Sequence, residues 1–168
     1  MIDYRLYLYK IYRFSRQMIS KKTKYGLQAM IYLAEHYEQG PILIADISES
    51  RGIPKKFLEA ILLELRKKGI LTSKIGKGGG YTLSKSPKEI TLGSIVRVLE
   101  GPLAPVSCVS QTAYQKCEEC TDEKCCGIRL VMKDVRDAIS NILDRKTLHD
   151  VLLDVTQAKK GYESHYII

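Results

Sequence analysis

The sequence predicts a mainly α protein with a small β-hairpin wing: a winged helix-turn-helix domain followed by a long C-terminal dimerisation helix. Three observations carry the prediction. Leu58, Ile61, Leu62 and Leu65 keep the i, i+3, i+4, i+7 spacing of one helical face, and a shorter helical stretch stopped by Gly52 precedes them. Ile70–Ile75 and Tyr81–Ser84 read as two strands around the tip Gly76-Lys77-Gly78-Gly79-Gly80. Ile128, Met132, Val135, Ile139 and Ile142 recur at intervals of 4, 3, 4 and 3, a heptad-like seam suited to helix pairing.

In chain order, residues 1–17 form a basic, tyrosine-rich N-terminal extension (Tyr4, Tyr7, Tyr9, Tyr12), expected to be loosely ordered. Residues 18–100 make the winged domain, 101–126 a cysteine-rich loop, 127–158 the dimerisation helices and 159–168 a tail. Ser20 is the expected N-cap of the first helix, whose apolar face is Leu27, Met30, Ile31 and Ala34, and Gly40-Pro41 is its expected stop. Pro54 suits the first position of the second helix of the motif, where a missing N–H is harmless. That helix closes at Gly69 after Arg66-Lys67-Lys68, whose charges suit a helix C-terminus. Thr91 caps a short helix that packs Leu92, Ile95, Val96 and Leu99 on the domain. Thr147 and Asp150 stand at capping-box positions for a last helix with Leu148, Val151, Leu152 and Val155 on one face.

Charge separates the chain into unlike halves. The net charge of the 168 residues is +8. Residues 18–88 hold thirteen Lys/Arg against six acids, whereas residues 89–168 hold ten against twelve. A basic reader joined to a slightly acidic partner segment points to nucleic acid, double-stranded DNA in the helix-turn-helix setting. No apolar run approaches the roughly 20 residues that span a bilayer, and Arg5, Lys10 and Arg13 interrupt any signal-peptide core. The expected location is cytoplasmic, with no membrane partner. No nucleophile–base constellation argues for catalysis, and His36, His149 and His165 lie apart from the cysteines, so the expectation is a non-enzyme.

The expected DNA contacts follow from the motif. Lys55, Lys56 and Glu59 face the major groove from the second helix, and Glu59 accepts from a cytosine amino group or rejects other bases. In the wing, Lys74, Gly76, Lys77, Gly78, Gly79, Gly80 and Tyr81 approach the sugar-phosphate backbone or the adjacent minor groove. Ser20, Lys21 and Lys24 are phosphate-contact candidates at the start of the first helix. A nucleotide-cradling loop does not fit the glycine run, which leads into a strand and lacks a GK[ST] ending.

All five cysteines, Cys108, Cys117, Cys120, Cys125 and Cys126, lie within one loop. Their odd number in a reducing compartment argues against a structural disulfide framework. A reversible thiol switch, a zinc site built on Cys117-x-x-Cys120, and an iron–sulfur cluster all remain open on spacing alone.

The stretch Thr23-Lys24-Tyr25-Gly26-Leu27-Gln28-Ala29-Met30, the block LRKKGILTSKIGKGGGYTLSK and the cysteine loop followed by GIRLVMKDVRDAI resemble the Rrf2 family of bacterial winged helix-turn-helix transcription regulators over roughly Met18 to Val155. The resemblance implies a homodimer on pseudo-palindromic promoter DNA, with a [2Fe–2S] or [4Fe–4S] cluster in the loop. Family members of this kind usually carry three evenly spaced cysteines, sometimes with a histidine three residues beyond the last. Cys120 and Cys126 match the last two, and Cys108 matches the first if the loop carries an insertion that holds Cys117. Arg129 stands where the histidine would be, and an arginine does not ligate a metal. The resemblance thus implies Cys108, Cys117, Cys120 and Cys126 as the ligand set, with Cys125 spare. The alternatives are an iron-free regulator with zinc or a thiol switch, or an iron–sulfur electron carrier, which leaves the wing without a task.

Overall fold

The computed structural model describes residues 19–164; the expectations for residues 1–17 and for His165 lie outside them. Ser20 opens α1 (Lys21–Glu35), its side chain accepting from the Thr23 N–H as a cap should. α1 ends at Glu35, before the expected Gly40-Pro41 stop. The following residues turn through Glu38 at φ 71° so that Ile42 can bridge Tyr81 of the wing. α2 (Ile44–Arg51) closes on Gly52, whose φ of 62° makes the tight turn of the motif without a Cβ penalty. Pro54, at ψ 127°, caps α3 (Lys55–Lys67) from outside and is not its first helical residue.

The apolar face read for α3 is the one that packs: Leu58, Ile61, Leu62 and Leu65 are all buried, against Met30 and Leu33 of α1 and Ile47 of α2. Burial of each such side chain stabilises the fold by roughly 1.5–3 kcal/mol. β1 (Leu71–Lys74) and β2 (Gly80–Leu83) pair antiparallel with Leu71 opposite Leu83 and Lys74 opposite Gly80. Ile42 exchanges two backbone hydrogen bonds with Tyr81, at 3.0 and 2.8 Å, which pins the wing to the α1–α2 connection. Thr91 caps α4 (Leu92–Leu99) by accepting from the Ser94 N–H, and Ile95, Val96 and Leu99 are buried.

Beyond α4 the chain makes a single 3-10 turn at Ser107–Val109, then α5 (Gly127–Arg145) and α6 (Leu148–Ser164). Thr147 and Asp150 form the anticipated capping box: the Thr147 N–H donates to Asp150 Oδ2 at 2.9 Å and the Asp150 N–H donates to Thr147 Oγ1 at 3.2 Å.

Residues 127–158, the expected dimerisation helices, are joined to the winged domain, because the α5–α6 junction is built into its core. Leu148 is fully buried in the same core as α1, α3 and α4. The Leu92 N–H donates to Lys146 O at 2.8 Å, the Leu148 N–H to Ile90 O at 2.9 Å and the His149 N–H to Pro87 O at 3.2 Å. Arg97 of α4 pairs with Asp144 of α5, Nη2 to Oδ2 at 2.8 Å. The tail expected from residue 159 is instead helical to Ser164, continuing α6. No helix among the described residues is long and apolar enough to cross a membrane.

Candidate nucleic-acid interface and cysteine cavity

The helix-turn-helix geometry and the wing converge on one cleft. Lys55, Glu59 and Arg66 are four and seven residues apart on α3, which sets them along one flank of the helix. They face Ser73, Lys74 and Ile75 of the hairpin across a cleft of about 540 Å³. Arg66 donates from Nη1 to Ser73 Oγ at 3.1 Å and so ties helix to wing. Lys56 is exposed on the outer face of α3, and Gly76, Lys77 and Gly78 are exposed at the tip. Gly79 is buried, and Gly80 and Tyr81 are half-buried because their backbone lies against Ile42. Lys21, Lys24, Lys55, Lys56, Lys74 and Lys77 are exposed and make no ion pair among the described residues.

Ser20 is the exception among the expected phosphate contacts. Its N–H and Oγ both donate to Glu100 Oε2, at 3.1 and 2.6 Å, and Thr23 Oγ1 donates to the same oxygen at 2.5 Å. The carboxylate at the end of α4 therefore occupies the start of α1, where negative charge is favoured. Burial pushes the Glu100 carboxyl up, but these donations outweigh it and hold it below the usual carboxylate range. Nearby Lys22 pairs with Glu64 of α3 at 2.6 Å. Arg66 and Ile75 in the cleft, and Glu100 behind α1, are absent from the sequence-derived site. The spacing of Arg66 from Lys55 and Glu59 was the available signal for the first.

The second site lies at the other end of α5. Cys108, Cys117, Cys120 and Cys126 line one cavity of about 300 Å³, together with Glu123 and Arg129. Cys125 is exposed and outside the lining. Among the described residues no group of three or more His, Cys, Asp or Glu side chains converges at metal-holding geometry. The four thiols stand around the cavity wall.

Cys126 sits at the start of α5, where the Arg129 N–H, outside full capping geometry, and the Cys120 thiol hold its pKa below the usual thiol range. Desolvation and the neighbouring Cys126 thiol push Cys120 up. Cys108 is held by its backbone: Arg129 Nε donates to Cys108 O at 3.3 Å, and the buried Arg136 donates from Nη1 to Val109 O at 2.8 Å. Arg136 is kept in place by Asp137, which accepts from its Nε at 2.8 Å. Arg129 and Arg136 thus anchor the 3-10 turn to α5, a role the sequence offered no local sign of. Tyr114 donates to Glu123 at 2.6 Å across the loop.

The five residues of the expected helix seam are unequally exposed. Ile128 (70% exposed) and Ile142 (62%) lie open to solvent, as does Val135, but Met132 and Ile139 are half-buried. Ile139 lines a groove with Ile19, Val96 and Leu103, facing its own winged domain. The exposed stripe takes in Val131 (58%) and Ala138 instead, so it runs 128, 131, 135, 138, 142. The periodicity is shared by both registers; only the packing of α5 on α4 separates them.

A helix-turn-helix with a basic wing and a helical arm defines a DNA-binding transcriptional regulator. Residues 19–154 match the Rrf2 family, described as iron-dependent transcriptional regulators, and the chain belongs to that family. An rrf2-like HTH-type transcriptional regulator of Rhodobacter capsulatus is 40% identical over 149 residues, covering 87% of this chain and 99% of that one. The structure of CymR, the global cysteine regulator of B. subtilis, superposes with a TM-score of 0.66 at 36% identity, over 79% of this chain and 94% of that one. T. potens IscR superposes with a TM-score of 0.67 at 34% identity, over 83% and 89%.

Proposed function

We propose that this protein is a homodimeric Rrf2-type repressor or activator whose affinity for promoter DNA is set by an iron–sulfur cluster held by Cys108, Cys117, Cys120 and Cys126. The observation that carries this reading is that four of the five cysteines line one cavity, with Cys125 left outside. An all-thiolate donor set with partly apolar walls suits a cluster. When bound, the cluster supplies a redox-sensitive charge at this position. The family's description as iron-dependent supports the same reading.

The chain's own residues translate the state of the cavity. Arg129 and Arg136 couple the 107–109 turn to the first half of α5. The far end of α5 is fixed to the winged domain through Asp144, Lys146 and Leu148. A change at the cysteines therefore tilts α5 about its C-terminal end and does not carry the whole helix. In a dimer paired through α5, that tilt changes the separation of the two α3 helices, which must match about one turn of DNA. Lys55, Lys56 and Glu59 then read the major groove, while Lys21, Lys24, Lys74 and Lys77 neutralise phosphates.

The test is anaerobic reconstitution, followed by iron and zinc analysis, visible absorption and DNA binding with and without the cluster. A coloured iron protein whose DNA affinity differs between the two states is expected; a colourless zinc protein, or equal affinity in both states, sinks the cluster reading. A second reading has its own support: the free thiols of Cys120 and Cys126 line the same cavity, and CymR, a relative named for cysteine regulation, is similar in structure. In that reading the loop works as an iron-free thiol switch, and oxidant-dependent DNA binding by iron-free protein distinguishes it.

A further inference from the structure

The wing carries an apolar side chain where a basic hairpin has no packing use for one. Ile75 follows the last residue of β1 and is 91% exposed, more than any other large hydrophobic residue among those described. It is not an isolated surface residue, because it lines the cleft shared with Lys55, Glu59, Arg66 and Lys74. The tip beyond it is thin. The Gly79 N–H donates to Gly76 O at 2.9 Å, and a Cβ at Gly79 would lie 2.5 Å from Lys74 O. The end of the hairpin is thus a backbone blade from which only Ile75 and Lys77 project as side chains.

We infer that Ile75 is a specificity residue that enters the DNA minor groove beside the major-groove site and selects A·T pairs there. This rests on the DNA-binding reading given above. The minor groove is about 6 Å wide, a fit for a blade without side chains and not for a helix. Lys74 and Lys77, on either side of Ile75, meet the phosphates that wall the groove. The selectivity follows from the groove floor. A G·C pair presents the guanine N2 amino donor there, and an isoleucine pressed over it removes its water and returns no acceptor. An A·T pair presents no such donor. Ile75 therefore disfavours G·C at the wing-contacted positions by about fivefold to tenfold, within the usual cost of one unfavourable base pair.

The test uses the full-length protein and a pool of random-sequence duplexes, with wild type, Ile75→Ser and Ile75→Asn selected in parallel. Wild type is expected to enrich A·T at the positions flanking the major-groove half-sites. Ile75→Ser flattens that preference, and Ile75→Asn, whose carbonyl accepts from guanine N2, moves it toward G·C. The melting temperatures of all three proteins match, because the side chain supports no packing. The same A·T enrichment in wild type and Ile75→Ser overturns the inference and leaves DNA binding standing. A lowered melting temperature in Ile75→Ser also overturns it, since Ile75 would then be a packing residue. If wild type retains no duplex at low salt, the DNA-binding reading falls and the inference with it.

Discussion

Glu100 joins the two ends of the winged domain through a single carboxylate oxygen that accepts from Ser20 and Thr23. The cap residue itself was legible, since a serine before an amphipathic run is a local signal. Its partner was not, because it lies 80 residues away and nothing in the sequence links the two. Glu100→Gln keeps an acceptor but removes the charge, so a loss of at most about 1 kcal/mol at neutral pH is expected after solvent screening. The pH dependence has a definite sign. The folded-state pKa is lowered, so the contribution is full above the unfolded carboxylate range, about 4, and disappears as pH falls through the lower folded value. Denaturant midpoints measured from pH 7 down to acid should therefore converge for wild type and Glu100→Gln. A gap that widens as pH falls contradicts this assignment.

The helices and the wing were readable because their signals are local: periodicity, caps, and glycine at turns. Where α6 docks was not readable. Leu148, Val151 and Leu152 look alike on a helical wheel, and only the Thr91–Thr147 bridge and the fully buried Leu148 show which residue enters the winged core. Leu148→Ala should cost about 2–5 kcal/mol, as for other fully buried leucines. Its thermal unfolding should remain a single transition, because α6 and the winged domain share one core. Two transitions would mean that the C-terminal helices fold separately. The cysteine loop makes a contrasting case. Spacing left its chemistry open, and the cavity divides the thiols. Cys125→Ser should retain iron close to the wild-type amount after anaerobic reconstitution, whereas Cys117→Ser should lose most of the visible absorption. Equal iron in both variants would remove Cys117 from the ligand set.

At the scale of the whole molecule, the proposed dimer raises the question of which face of α5 would meet a second copy. Heptad-like spacing admits two registers, 128-132-135-139-142 with steps 4-3-4-3 and 128-131-135-138-142 with steps 3-4-3-4, which share three positions. Ile139 is committed to the groove against Ile19, Val96 and Leu103, while Val131 is open to solvent. A charge at each position separates the roles. Val131→Glu puts a carboxylate into a helix-pairing seam without disturbing the monomer's own packing. It should yield a monomer in sedimentation with an unchanged circular dichroism spectrum. Ile139→Glu puts the same charge between α5 and α4, so it should lower the melting temperature by several degrees, the shift that follows from roughly 1–3 kcal/mol in a chain of this size. The DNA consequence of Val131→Glu follows from geometry. Two α3 helices held about one turn apart bind two half-sites together, and a monomer engages one at a time. Operator affinity should therefore fall by two orders of magnitude or more, while low-salt binding to random duplex, carried by Lys21, Lys24, Lys55, Lys56, Lys74 and Lys77, stays within about twofold per subunit. A dimeric Val131→Glu would place the pairing face elsewhere and undo the tilt of α5 as the route from the cysteines to the DNA.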